Sequence, residues 1–162
     1  MAVHLNWSAG VACPFFLPLT KFEEGVWLHP SRLPLGAPWQ GCCTASGGEI
    51  SVSTPAELEQ CNLGYASTCP RLPSERQWDA IRFAVSSDHE SRVCLTYVCE
   101  KNHQPGGNGR LEFSVVTDRW VTSHPDSRIQ KMAECFLESW RAKSHKATDG
   151  EPAPDPSDDD RN

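Results

Sequence analysis

The sequence lacks the features that would assign it to several common classes of protein. It contains no apolar run approaching the roughly 18 residues that a membrane-spanning helix needs, and its mean hydropathy is −0.49. Its basic residues form no stripe of the kind that binds a phosphate backbone. We therefore expect a protein that interacts with neither membranes nor nucleic acids.

The N-terminal segment also lacks the pattern of an export signal. No Lys or Arg precedes Lys21, and the apolar stretch is interrupted by Gly10, Pro14 and Pro18. We expect a cytoplasmic chain, whose thiols stay reduced. Its eight cysteines therefore indicate metal or redox chemistry rather than disulfides.

Composition divides the chain into parts. The chain has a net charge of −6, and residues 149–162 alone hold six acidic residues and one basic residue. This composition predicts a disordered acidic tail over residues 145–162. The preceding residues 1–144 fit one domain. Within it, residues 1–73 hold eight of the 13 prolines and seven of the 11 glycines, so we predict a loop-rich half followed by a regular α+β half over residues 74–144.

The regular half shows clear periodicity. Apolar residues alternate in three runs, around Ile81, Leu95 and Leu111, which predicts a three-stranded antiparallel meander. Residues 105–109 are rich in glycine and are predicted to turn between the last two strands. A capping box at Ser127 and helical spacing after it predict a C-terminal amphipathic helix of about 17 residues.

One short helix is expected in the loop-rich half. Thr54 and Glu57 form a capping box, Pro55 suits the first helical position, and Gly64 suits the end. The rest of this half has aromatic residues but no periodicity, so its loops need something to hold them. We predict that a cysteine metal centre staples them together.

The predicted ligands each lie beside a residue that turns the chain. Four separated thiolates suit a tetrahedral ion or a cubane cluster. Cys43 is chosen over its neighbour Cys42 because a run of small residues follows it. The predicted ligand set is Cys13, Cys43, Cys61 and Cys69.

Spacing and neighbours indicate which centre these thiolates hold. The sequence has no C-x₂-C pair, which is the signature of zinc ribbons. Cys13 and Cys69 each precede a proline, as cysteines do in bacterial ferredoxin sites. The sequence therefore favours a [4Fe–4S] cluster, shielded from water by aromatic residues such as Phe15, Phe16, Trp39 and Tyr65. A zinc ion is the alternative centre, and the remaining interpretation is that the four cysteines are buried thiols without a metal.

Three functions follow from these readings. The first is a small iron–sulfur protein for electron transfer or redox sensing, and the second is a zinc-stapled interaction module. Neither is an enzyme. The third is an enzyme with Cys42 or Cys43 as its nucleophile, for which the sequence shows no convincing base. A protein partner of unknown identity is compatible with the first two.

The other cysteines and two arginines are weaker candidates for the site. Cys94, Cys99 and Cys135 are expected to be structural, although Cys99 with His103 has the spacing of half a zinc site. Arg32 and Arg71 lie near predicted ligands in the sequence. They are candidates for hydrogen bonds to the centre or to an acidic partner.

Overall fold

The computed structural model describes residues 11–22, 33–63 and 69–148. Within these ranges the chain forms two antiparallel sheets and two helices. The smaller sheet has the order β1-β2-β3, and a short helix follows it. These elements are β1 (Phe16–Lys21), β2 (Trp39–Cys43), β3 (Ile50–Ser51) and α1 (Pro55–Leu63).

The larger sheet has four strands that follow one another in space as they do in sequence. A long helix comes after them. Phe136 on this helix stacks on Phe83 of the sheet, with ring centroids 5.8 Å apart. These elements are β4 (Ala80–His89), β5 (Arg92–Lys101), β6 (Gln104–Ser114), β7 (Arg119–Thr122) and α2 (Ser127–Thr148).

The predicted fold class is therefore wrong in three respects. The fold is mainly β, and the predicted three-stranded meander is a sheet of four strands. The N-terminal half is not a loop-rich segment stapled by a metal centre, because it contains three paired strands and α1. Backbone hydrogen bonds order this half.

The loop prediction failed because a proline of this half lies in an edge strand, where it does not interrupt strand pairing. Pro18 is inside β1, where it pairs with Gly41. A proline is tolerated there because β1 is an edge strand, so the missing N–H faces no neighbouring strand. Gly41 permits the close approach of β1, since a Cβ at that position would collide with the carbonyl oxygen of Leu17.

The glycine-rich segment 105–109 is also a strand rather than a turn. It belongs to β6, and the turn before it is made by Asn102 and His103, with φ of 49° and 60°. The indole of Trp78 covers this strand, so a Cβ at Gly106 would lie 2.5 Å from the ring. The glycines therefore make room for a side chain and do not reverse the chain.

The short helix α1 begins where its sequence predicts. It begins at Pro55, with the Glu57 N–H donating to Thr54 Oγ1 at 3.3 Å and the Thr54 N–H donating to a Glu57 carboxylate oxygen at 3.2 Å. These reciprocal bonds are those of a capping box. Gly64, the predicted end, lies outside the described residues.

The long helix begins where expected but is capped differently. Asp126, not Ser127, accepts the first free N–H, from Arg128 at 2.9 Å. Gln130 instead accepts a hydrogen bond from the His124 N–H at 2.7 Å. The helix continues to Thr148, into the segment predicted as tail, and residues 149–162 lie outside the described ranges.

One apolar core joins the two sheets and α2. Its members come from the N-terminal segment, both sheets and the helix, and Ala12 forms a bridge with Ile81 at the edge of β4. Trp39 of the smaller sheet lies in this shared core. In the described part of the chain, no helix is both long and apolar enough to cross a membrane.

Candidate functional site

The four cysteines predicted as ligands line a single small cavity. They reach it from the turn before β1, the end of β2, the last turn of α1 and the turn that starts at residue 69. The cavity measures about 20 Å³, which is room for about one water molecule. Its lining consists of Cys13, Phe15, Phe16, Cys43, Ala45, Gln60, Cys61, Cys69 and Leu72.

Backbone hydrogen bonds place the first cysteine. The Cys13 N–H donates to the carbonyl of Cys61 at 3.4 Å, which connects two predicted ligands directly. The Phe16 N–H donates to the Cys13 carbonyl at 3.1 Å and closes a tight turn. Cys13 is therefore held between the entry to β1 and the end of α1.

Strand pairing places the second cysteine. Cys43 lies opposite Phe16 in the antiparallel ladder, and both residues line the cavity. Cys42, one position earlier, has the opposite parity along the strand and is not part of the lining. The structure thus brings Cys43, and not Cys42, to the other three cysteines.

A buried asparagine places the third cysteine. Asn62 accepts a hydrogen bond from the Trp39 N–H and donates to the Trp39 carbonyl, both at 2.9 Å, and also donates to the Leu58 carbonyl at 2.8 Å. These bonds fix α1 against β2. Cys61, the preceding residue, is thereby held at the cavity.

The fourth cysteine lies at the rim. Cys69 is half-buried and accepts a hydrogen bond at its carbonyl from the Leu72 N–H at 3.3 Å. Arg71, suggested as a contact for the centre, instead pairs with Glu57 of α1 at 2.5 Å. Arg32, the other arginine suggested, lies outside the described residues.

The surroundings of the thiols are apolar. Burial raises the pKa of Cys13 to about 11, and the neighbouring Cys43 and Cys69 raise it further. Burial likewise raises the pKa of Cys61 to about 12, together with Cys13, Cys43 and Cys69. Without a cation these two thiols are therefore protonated at neutral pH, and a metal that bound here would displace protons.

The thiols share a cavity without the arrangement of a finished metal site. All eight cysteines are free. Over the described ranges, no three or more His, Cys, Asp or Glu side chains are placed so that they could hold a metal ion. Binding of a metal by the four cysteines would therefore require their side chains, and the turns that carry them, to move inward.

The other cysteines lie elsewhere in the fold. Cys99 is buried in β5 opposite Gly107, and His103 is exposed at the turn into β6, so the structure does not bring together the alternative half of a zinc site. Cys135 is buried on α2, where burial raises its pKa to about 12. Cys94 is half-buried in β5.

Two of the aromatic residues expected around the centre line the cavity, namely Phe15 and Phe16. Trp39 lies in the shared core instead, and Tyr65 is outside the described residues. The sequence analysis did not single out Gln60, which lines the cavity, or two further polar residues beside it. Thr44 follows a predicted ligand directly, but Arg128 is on α2 and gives no local signal of its proximity.

Comparison of the chain with protein-family models, with curated proteins and with solved structures finds no match.

Proposed function

We propose that this chain binds a [4Fe–4S] cluster through Cys13, Cys43, Cys61 and Cys69, and that it serves electron transfer or redox sensing. The observation that supports the proposal is the convergence of these four thiols on one cavity. They come from four separate turns and element ends, so no local sequence rule brings them together. Such a group of thiols suits a cofactor with four points of attachment.

The four thiols form a donor set that suits a soft metal. Cys13 and Cys61 are protonated without a cation, so binding would release protons and place the thiolate charge on the metal. Phe15, Phe16 and Leu72 would limit the access of water to a bound centre, which protects it and tunes its potential. The proposal also places the protein in a reducing compartment such as the cytoplasm, where cysteines stay available as ligands.

A single zinc ion is the second candidate. The small volume of the cavity favours it, because a cavity of about 20 Å³ must expand less for one ion than for a cubane. In that case the centre would hold the ends of β2 and α1 together and the protein would have no redox role. The function would then be to present a surface to a partner.

The first experiment is anaerobic purification followed by absorption spectroscopy and by iron, zinc and sulfide analysis of one sample. A broad band at about 400 nm with about four iron and four sulfide per chain is the expected result. About one zinc per chain without colour would favour the second candidate. Protein that is folded, metal-free and rich in titratable thiols would overturn both.

The ligand assignment is tested by adjacent substitutions. Cys43→Ser should abolish retention of the metal, because it removes a thiol that lines the cavity. Cys42→Ser should leave retention unchanged, because that side chain lies on the other face of β2. The same loss is expected for Cys13→Ser, Cys61→Ser and Cys69→Ser. Loss of metal in Cys42→Ser with retention in Cys43→Ser would contradict the assignment.

A further inference from the structure

Thr44 ties two of the proposed ligand segments together. Its hydroxyl donates to the carbonyl of Phe15 at 2.8 Å, and its N–H donates to the same oxygen at 2.9 Å. Thr44 directly follows Cys43, and Phe15 is two residues after Cys13. The separation of these two cysteines along the edge of the cavity is therefore set in part by one side-chain hydroxyl.

Arg128 of the long helix α2 donates a hydrogen bond to the same Thr44 hydroxyl. Its Nη1 donates to the Thr44 hydroxyl at 3.3 Å, and its guanidinium lies over the ring of Phe15, 5.4 Å from the centroid. On the other edge of the guanidinium, Nη2 and Nε donate to the two carboxylate oxygens of Asp126 at 2.8 Å and 3.2 Å. The planar group is thus fixed on three sides.

The charge of Arg128 lies close to the proposed centre. Phe15, the ring under the guanidinium, lines the thiol cavity on one side. On its other side it lines a larger polar cavity of about 230 Å³, to which Arg128 also contributes. The guanidinium therefore contacts a side chain that lines the thiol cavity, and its positive charge lies one side chain away from that cavity.

We propose that Thr44 and Arg128 are positioning residues for the metal centre. Thr44 keeps the Cys13 and Cys43 segments side by side while the turns close on the centre. Arg128 keeps the Thr44 hydroxyl oriented and supplies a positive charge that favours the more negative oxidation state of a thiolate-bound cluster. This inference rests on the proposed function, because it concerns how the same four cysteines hold and tune their metal.

The first test measures how fast the metal is lost to an excess of a strong iron or zinc chelator under anaerobic conditions. Thr44→Val removes the hydroxyl and keeps the shape, and we expect roughly fivefold faster loss, which corresponds to about one hydrogen bond. Thr44→Ser keeps the hydroxyl and should behave as wild type. Equal rates in all three proteins would overturn the role of Thr44.

The second test measures the midpoint potential of the iron–sulfur protein. Arg128→Gln should lower the potential, because it removes a cation and leaves the Asp126 carboxylate without its partner. Arg128→Lys should retain most of the wild-type potential. Arg141→Gln is the matched control, since Arg141 is on the same helix and also lies over a phenylalanine, 5.5 Å from the ring of Phe113, but Phe113, unlike Phe15, does not line the thiol cavity.

The outcomes separate this inference from the function on which it rests. Wild-type protein without any metal would overturn both. Wild-type protein that holds metal, with Thr44→Val and Arg128→Gln indistinguishable from it, would overturn only the positioning role. If the metal is zinc, the chelator assay applies to the Arg128 variants as well, and faster loss in Arg128→Gln than in Arg141→Gln is the expected result.

Discussion

The two sheets of this protein are stabilised in different ways. The β4–β7 sheet has three strands of 10 or 11 residues, and its buried face contributes more residues to the shared apolar core than either α2 or the smaller sheet. The β1–β3 sheet has strands of two to six residues, and the apolar cluster between it and α1 consists of Cys43, Val52 and Leu58. Of the candidate ligands, Cys43 belongs to this small cluster, Cys61 packs against both clusters, and Cys13 belongs to the shared core.

The largest effect is expected from the core of the larger sheet. Leu95 is fully buried and lies between Val85 and Leu111 in the ladder. Leu95→Ala should lower the free energy of unfolding by about 3–4 kcal/mol, since it removes buried apolar area and leaves a cavity. Urea unfolding measures this. Val121→Ala, at a side chain that is 57% exposed, should change little, and comparable losses in the two variants would contradict this account of the core.

The next effect concerns the junction between the larger sheet and the loop before it. The buried carboxylate of Asp79 accepts from Arg76 at 2.6 Å and from the Asn102 N–H at 2.8 Å. Burial opposes its ionisation, but these bonds and the nearby cations outweigh burial and lower its pKa. Asp79→Asn should destabilise the protein by about 3 kcal/mol at neutral pH, because Arg76 loses its partner.

The pH dependence gives the same pair a second readout. A carboxyl with a lowered pKa in the folded state contributes stability above its unfolded pKa of about 4, and this contribution is lost as the pH falls through the folded value. The difference in stability between wild type and Asp79→Asn should therefore shrink below about pH 4. A difference that stays constant down to pH 2 would show that the charge of Asp79 is not responsible.

A smaller effect is expected at the junction of β2 and α1. Asn62→Ala leaves the Trp39 N–H and carbonyl without their side-chain partner in a buried setting. We expect a loss of about 2 kcal/mol. Hydrogen exchange of the Trp39 amide should accelerate more than that of amides in β5. Equal acceleration in both sheets would mean that the two sheets open together, which would remove the difference proposed between them.

The smallest effect is expected at the start of α1. Thr54→Ala removes the hydroxyl of the capping box and should cost about 1 kcal/mol. Thr54→Ser keeps the hydroxyl and should be close to wild type in thermal unfolding. A loss in Thr54→Ser as large as that in Thr54→Ala would point to the methyl group instead of the cap.

The larger sheet shows why periodicity predicted part of the fold and missed the rest. The alternation around Ile81, Leu95 and Leu111 gives β4, β5 and β6 because one face of each strand is buried. β7 has four residues and too few repeats to show a period. Residues 105–109 read as a turn because the cause of their glycines is the ring of Trp78, almost 30 residues away in the sequence.

The smaller sheet was missed for a different reason. A proline breaks a central strand but not an edge strand, and the sequence does not state which strand will be the edge. The paired positions Phe16 and Cys43 are separated by a long connection, so no periodicity links them. This backbone pairing supplies the order that the sequence pattern attributes to a metal centre.

The sequence alone predicted local structure wherever the interacting groups lie within one helical turn of each other. The capping box of Thr54 and Glu57 and the apolar stripe of α2 are of this kind, because their partners lie three or four residues away. The choice of four candidate cysteines also came from the sequence, through their number and their place beside turns.

Only the tertiary structure decided that these cysteines share a cavity and what surrounds it. Cys13 is joined to Cys61 by one backbone hydrogen bond, Cys43 is placed by strand pairing, and Arg128 contacts Thr44 across 84 residues of sequence. Contacts at such separations depend on which strands pair and where α2 packs. Those choices follow from burial summed over the whole chain, and no short segment encodes them.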